Sequence, residues 1–133
     1  MLATSKAFSG FSVDDSQRAR EFYQQTLGLD VYPIVDDDMP AEYGLLGVKI
    51  AGSRDIFVYP KADHTPASFT ILNFPVDDIE AAVAELKRRG VEFLHYRGTA
   101  METDENGIFR GGGPLIAWFT DPAGNVLSVI EQH

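Results

Sequence analysis

Apolar and polar positions along this chain repeat on two scales. Locally, two segments carry an apolar stripe at helical spacing. Ala19, Phe22, Tyr23 and Leu27 form the first, and Ile79, Ala82, Val83 and Leu86, at i, i+3, i+4 and i+7, form the second. On the larger scale, Phe11-Ser12-Val13-Asp14-Asp15 recurs 63 residues later as Phe74-Pro75-Val76-Asp77-Asp78, and each copy leads straight into one of the two helices. Asp14 with Gln17, and Asp77 with Glu80, have the spacing of a capping box, with Asp15 and Asp78 as alternative caps. Gly28 and Gly90 are the expected helix stops, since a left-handed cap costs glycine least. They lie 62 residues apart, one short of the repeat, as a single deletion in one copy would produce.

Strand-like runs flank both helices. Residues 7–13 and 68–76 enter them, and 29–35 and 91–96 leave them. Residues 45–50 and 56–59 read as a hairpin around Ala51-Gly52-Ser53, and 115–119 and 126–131 as another, turning at Asp121-Pro122-Ala123-Gly124-Asn125. The order is β-α-β-β-β, written twice, and the expected fold class is α+β. The expected organisation is a single domain over 1–133, made of two packed modules at about 5–60 and 67–132 with Pro60 to Pro66 between them. Residues 98–114 are polar and glycine-rich and read as a long loop.

Composition narrows the chemistry. There is no cysteine, which excludes disulfides, thiolate metal sites and cysteine nucleophiles. Eleven Lys and Arg against 20 Asp and Glu give a net charge of −9, which opposes nucleic-acid backbones and anionic membranes as partners. No apolar run approaches the length of a membrane span, and the first residues, MLATSKAFSG, lack an apolar signal core, so a cytoplasmic location is expected.

Val13-Asp14-Asp15 followed by Phe22-Tyr23 and Leu27-Gly28-Leu29 resembles the entry signature of the vicinal oxygen chelate superfamily, which includes glyoxalase I, extradiol dioxygenases and bleomycin-resistance proteins. Trp118-Phe119-Thr120-Asp121-Pro122-Ala123-Gly124-Asn125 resembles its closing hairpin. The resemblance implies two tandem βαβββ modules curling into a barrel-like mixed sheet around a cavity, with helices outside. In metal-dependent members, one inward-facing His, Glu or Gln from each of four strands holds a divalent cation. Carried onto this chain, those positions are Phe8, Phe57, Ile71 and Ser128. None suits a divalent ion, which needs anionic, imidazole or amide ligands. No metal and no cofactor is therefore expected. His64, His95 and His133 show no paired ligand spacing, and His64 and His133 are expected to face water.

Other clusters carry less. Asp36-Asp37-Asp38 lacks the alternation of a calcium loop and reads as a solvated turn. Arg110-Gly111-Gly112-Gly113-Pro114 offers an arginine and free amides to an anion, but without the helix start that phosphate loops use. Ser12, Thr70 and Ser128 have no histidine placed by sequence to activate them, which argues against covalent hydrolysis. Strand alternation puts Phe8, Gly10 and Ser12 on one face and Ile71, Asn73 and Pro75 on another, the faces that line the family's cavity.

These residues point to a metal-independent protein binding a small organic molecule, aromatic or cationic. Phe8, Phe57, Ile71, Asn73, Trp118, Ser128 and Arg110 are the candidate binding residues. By resemblance to antibiotic-binding members, whose cavity forms between two chains, a homodimer is expected. A metal-dependent lyase, isomerase or dioxygenase is the alternative, and an interaction or regulatory module is a third.

Overall fold

Both helices begin at an aspartate held in extended backbone, but one residue later than the capping-box spacing suggests. Asp15 accepts from the Arg18 amide at 3.1 Å and Asp78 from the Ala81 amide at 3.1 Å, so the alternative caps are the ones used. The computed structural model describes residues 1–133 and divides into two compact units, Met1–Thr65 and Pro66–His133.

The first unit runs β1 (Gly10–Val13), α1 (Ser16–Glu21, continued by a π-helical turn Phe22–Thr26), β2 (Val31–Pro33), β3 (Leu46–Val48) and β4 (Ile56–Pro60). The second runs β5 (Thr70–Val76), α2 (Ile79–Arg88), β6 (Ile108–Phe109), β7 (Ile116–Thr120) and β8 (Val126–Glu131). Each unit is an open four-stranded mixed sheet, ordered β1-β4-β3-β2 and β5-β8-β7-β6, and neither closes into a barrel. In each, the first and last strands pair in parallel and the others antiparallel. No helix is long and apolar enough to cross a membrane.

The glycine offset has a structural counterpart inside the first helix. α2 closes with the Gly90 amide on the Lys87 carbonyl and the Val91 amide on the Leu86 carbonyl, a Schellman ending with Gly90 at φ 93°. The first helix must fit one more residue between its cap and Gly28. It widens to a π turn in which the Leu27 amide reaches the Phe22 carbonyl at 2.9 Å, five residues back. The extra residue is thus absorbed in the helix, and both helices still end at a positive-φ glycine, Gly28 and Gly90.

Two expectations about the second unit need correction. Residues 91–96 do not form a regular strand: only Phe93 bridges to Phe119, with the Leu94 amide on the Trp118 carbonyl at 2.8 Å. Side chains then compete for the backbone. The Tyr96 amide donates to Thr103 Oγ1, the Gly98 amide to Glu102 Oε1 and the Thr99 hydroxyl to the Tyr96 carbonyl, and the chain leaves the sheet. It returns inside the stretch read as loop, where β6 completes the same edge of β7. Asp104 organises the return, accepting from the Asn106 and Ile108 amides at 2.8 and 2.9 Å and from Arg110 Nε at 2.9 Å.

Register sorts the side chains into two faces. In the first unit Phe11, Val13, Val31, Leu46, Val48, Ile56 and Val58 lie toward α1, where Ala19 and Tyr23 are buried against them. In the second, Leu127, Val129, Ala117, Phe119 and Ile108 do the same for Ile79 and Val83 of α2. Glu131 also accepts from the Ile79 amide at 2.9 Å, which fixes the start of α2 to β8. Across the other face of the first sheet, one row reads Gly10, Phe57, Gly47, Tyr32, each opposite the next. A side chain at Gly47 would lie within 2.6 Å of Tyr32 Cε2, because the phenol ring lies flat over the glycine.

Gly47→Ala is therefore expected to lower stability by about 1–3 kcal/mol through overpacking, and by clearly less in a Tyr32→Ala background, as urea denaturation of the two pairs would show. Asp104 gives a pH signature. Partial burial acts to raise its pKa, but the hydrogen bonds from Arg110, Ile108 and Asn106 outweigh it and hold the carboxyl below its ordinary value. Its contribution is present above the ordinary aspartate range and fades as pH falls through that range toward the lower folded value. The stability gap between wild type and Asp104→Asn, measured by denaturation from neutral pH downward, should shrink over that acid interval. A gap independent of pH would contradict it.

Candidate functional site

In the row Gly10–Phe57–Gly47–Tyr32 the glycines are taken up by their neighbours, the Tyr32 ring across Gly47 and Phe57 against Gly10, and a hollow opens beside the two rings. A side chain at Gly10 would meet the Phe57 carbonyl at 2.8 Å, so the Phe57 side chain sits hard against β1. Phe57 stacks on Tyr59 with ring centroids 5.4 Å apart, and Phe8 meets Phe57 edge-on at 6.4 Å. On one side of Phe57 the surface sinks into a hollow of about 550 Å³, bounded by Phe8, Tyr32, Ile34, Met39, Arg54 and Asp55. On the other lies a shallower depression bounded by Tyr43, Leu45, Tyr59 and Pro60.

The hollow has one polar corner. The Tyr32 hydroxyl donates to Asp55 Oδ2, and this bond, then burial, then the charges of Asp55 and Asp30, raise the Tyr32 pKa, so the phenol stays a donor. At the rim, Arg54 donates to the Lys6 carbonyl and its guanidinium lies 5.3 Å over the Phe8 ring. Beyond Phe57, Ser12 Oγ and His64 Nδ1 are 2.7 Å apart. His64 is half-buried, contrary to the expectation that it faces water, and it ties the linker to β1. A histidine does stand beside Ser12, which the sequence did not reveal, because 52 residues separate the two.

The corresponding face of the second unit is filled. Its row reads Asn73, Ser128, Trp118. Ser128 is fully buried and its hydroxyl donates to Asn73 Oδ1 at 2.6 Å. Trp118 is buried, donates through Nε1 to Thr70 Oγ1 at 3.1 Å, and packs edge-on against Tyr96 with Phe109 also beside it. A register shift between Thr70 and Leu72 leaves Ile71 without a ladder partner.

The seven residues nominated from the sequence thus divide. Phe8 and Phe57 meet in the first unit, while Asn73, Ser128 and Trp118 share one row of the second, beside Ile71. Arg110 stands apart. Its guanidinium bridges Glu80 of α2 at 2.7 Å and Asp104 at 2.9 Å, so its charge is already matched. Asp36 caps the Asp38 and Met39 amides within its own exposed turn. No group of three or more His, Asp or Glu side chains is arranged to hold a metal ion. Tyr32, Gly47 and Asp55 were missed by sequence reasoning, although Asp55, just before β4, alternates with Phe57 and Tyr59 of that strand and the signal was available in that spacing.

The closing turn matches its sequence reading: Asp121, buried, accepts from the Ala123 and Asn125 amides at 2.9 Å each and from the Asn125 side chain at 3.0 Å. No curated protein sequence matches the chain. Among solved structures it is similar to TnmS3, an antibiotic binding protein from Streptomyces sp. CB03234, at 26% identity and a TM-score of 0.64, covering 98% of each chain. A superfamily member from Sphaerobacter thermophilus (22% identity, TM-score 0.66, covering 99% of this chain and 100% of that one) shares the fold. So does a glyoxalase family protein from Enterococcus faecalis (20%, 0.63, covering 98% and 100%). A family model matches residues 8–129, and on that match the chain belongs to the Glyoxalase/Bleomycin resistance protein/Dioxygenase superfamily.

Proposed function

We propose that this protein binds a small, flat, largely apolar organic molecule on the open face of its first unit, without a metal ion, and holds it without chemical conversion. The observation that carries this reading is the Gly10–Phe57–Gly47 row, which leaves an aromatic ridge standing beside a hollow of drug-fragment size. The 26% identity to an antibiotic binding protein supports the same kind of activity.

The donor set speaks against the superfamily's metal chemistry here. Phe8 and Phe57 present ring carbons to each other, Ile71 presents an alkyl group, and the Ser128 hydroxyl is buried and committed to Asn73. A divalent cation would exchange its water shell for nothing of comparable strength at such positions. A homodimer belongs to the same proposal, on the family precedent of cavities completed by a second chain.

Calorimetric titration against a panel of planar aromatic compounds should find at least one saturable binder. Phe57→Ala should weaken it about tenfold, the effect of losing roughly 1.4 kcal/mol of aromatic contact. Elemental analysis of the purified protein should show no stoichiometric transition metal. Absence of any saturable binder, or binding indifferent to Phe57→Ala, would overturn the reading. Stoichiometric metal would instead favour the metal-dependent lyase, isomerase or dioxygenase.

A further inference from the structure

The hollow beside Phe57 is not uniformly apolar, and its polar corner has a sign. Asp55 precedes Phe57 by two positions and so projects from the same side of the chain, where it meets Tyr32 across the sheet. A carboxylate accepts at up to four lone-pair positions. The Tyr32 hydroxyl, a neutral donor, occupies one oxygen, and Asp55 takes part in none of the ion pairs the chain forms. The geometry points to Asp55, oriented by Tyr32, as the anchor for a protonated amine on an aromatic ligand whose ring lies against Phe57. This inference rests on the binding role proposed for that face.

The other charges around the hollow agree with the assignment. Arg54, the one cation on its lining, is turned to the rim, where it bonds the Lys6 carbonyl and covers the Phe8 ring. Lys49 stands 3.5 Å from Asp30 and is matched there. Neither Arg54 nor Asp55 joins an ion pair of the chain; Arg54 is held at the rim by a neutral carbonyl and a ring, which leaves the Asp55 carboxylate as the charge at the polar corner beside Tyr32. An ammonium donates three hydrogen bonds and has none to accept, so it complements a carboxylate oxygen and the phenol oxygen together, and it gains further from the faces of nearby rings. Gly47 is the precondition, because the Tyr32 ring reaches Asp55 only by lying flat across a residue without a side chain.

The test compares three probes that share one ring system: naphthylmethylamine, naphthylmethanol and naphthylacetate. Each is titrated into the full chain and followed by amide chemical shifts. The amine should bind about tenfold tighter than the alcohol, because both can donate to the carboxylate but only the ammonium adds an opposite charge to it. The acetate should bind more weakly than the alcohol. Asp55→Asn should bring amine and alcohol to equal affinity, with the larger loss on the amine. On wild-type protein, added salt should erode the amine's advantage and leave the alcohol unchanged, which probes the same charge contact should the variant fold poorly.

Equal binding of amine and alcohol, or preference for the acetate through Arg54, would overturn the anchor and leave the aromatic binding face standing. If none of the probes shifts amides around Phe57, both the anchor and the binding face fall.

Discussion

The structure of each unit depends on the parallel pairing of its first and last strands. That pairing sets which residues of four strands stand in one row, and the row decides what the uncovered face of the sheet can do. In the first unit it aligns Gly10, Phe57, Gly47 and Tyr32. The two residues without side chains let the Tyr32 ring lie across Gly47 and let Phe57 pack against Gly10, and the hollow opens beside those rings. The helix side offers no such room, since Val13 and Val58 are fully buried there against α1.

The second unit shows the same scaffold with the opposite outcome. Asn73, Ser128 and Trp118 occupy the equivalent row, and the indole is buried there with Tyr96 and Phe109 around it. Its polar atoms are paired among themselves, Ser128 with Asn73 and Trp118 with Thr70. The two copies therefore share a strand order and differ in how this face of the sheet is occupied. One copy presents a surface, and the other is packed shut with polar bonds satisfied inside it, as buried hydroxyl and indole groups require.

Much of this was legible in the residues. The doubled Val-Asp-Asp entry, the helix-ending glycines and the Asp-Pro-Ala-Gly-Asn turn each carry local chemistry that the backbone obeys, so the element order and the closing hairpin could be read directly. Where local signals competed, the reading failed. At each helix start two adjacent aspartates offered caps one residue apart, and only the backbone conformation distinguishes them. Between 91 and 109, Thr99, Glu102 and Thr103 side chains take hydrogen bonds that a strand would have used, which no periodicity reveals. The candidate site divides the same way. Phe8 and Phe57 were found by carrying the family's ligand positions onto the chain, whereas the meeting of Tyr32 with Asp55, and of Ser12 with His64, depends on registers and loop paths that spacing does not encode.

At Phe8, Phe57, Ile71 and Ser128, the positions onto which the family resemblance carries the metal ligands, this chain has rings, an alkyl side chain and a committed hydroxyl. On the function proposed above, apolar groups in place of donors give a site that retains its ligand. The most direct measurement is the affinity for an aromatic ligand of protein exhaustively treated with chelator, compared with the same protein resupplied with divalent transition metal. The account predicts one affinity in both states. Binding that disappears on chelation and returns with the metal would contradict it.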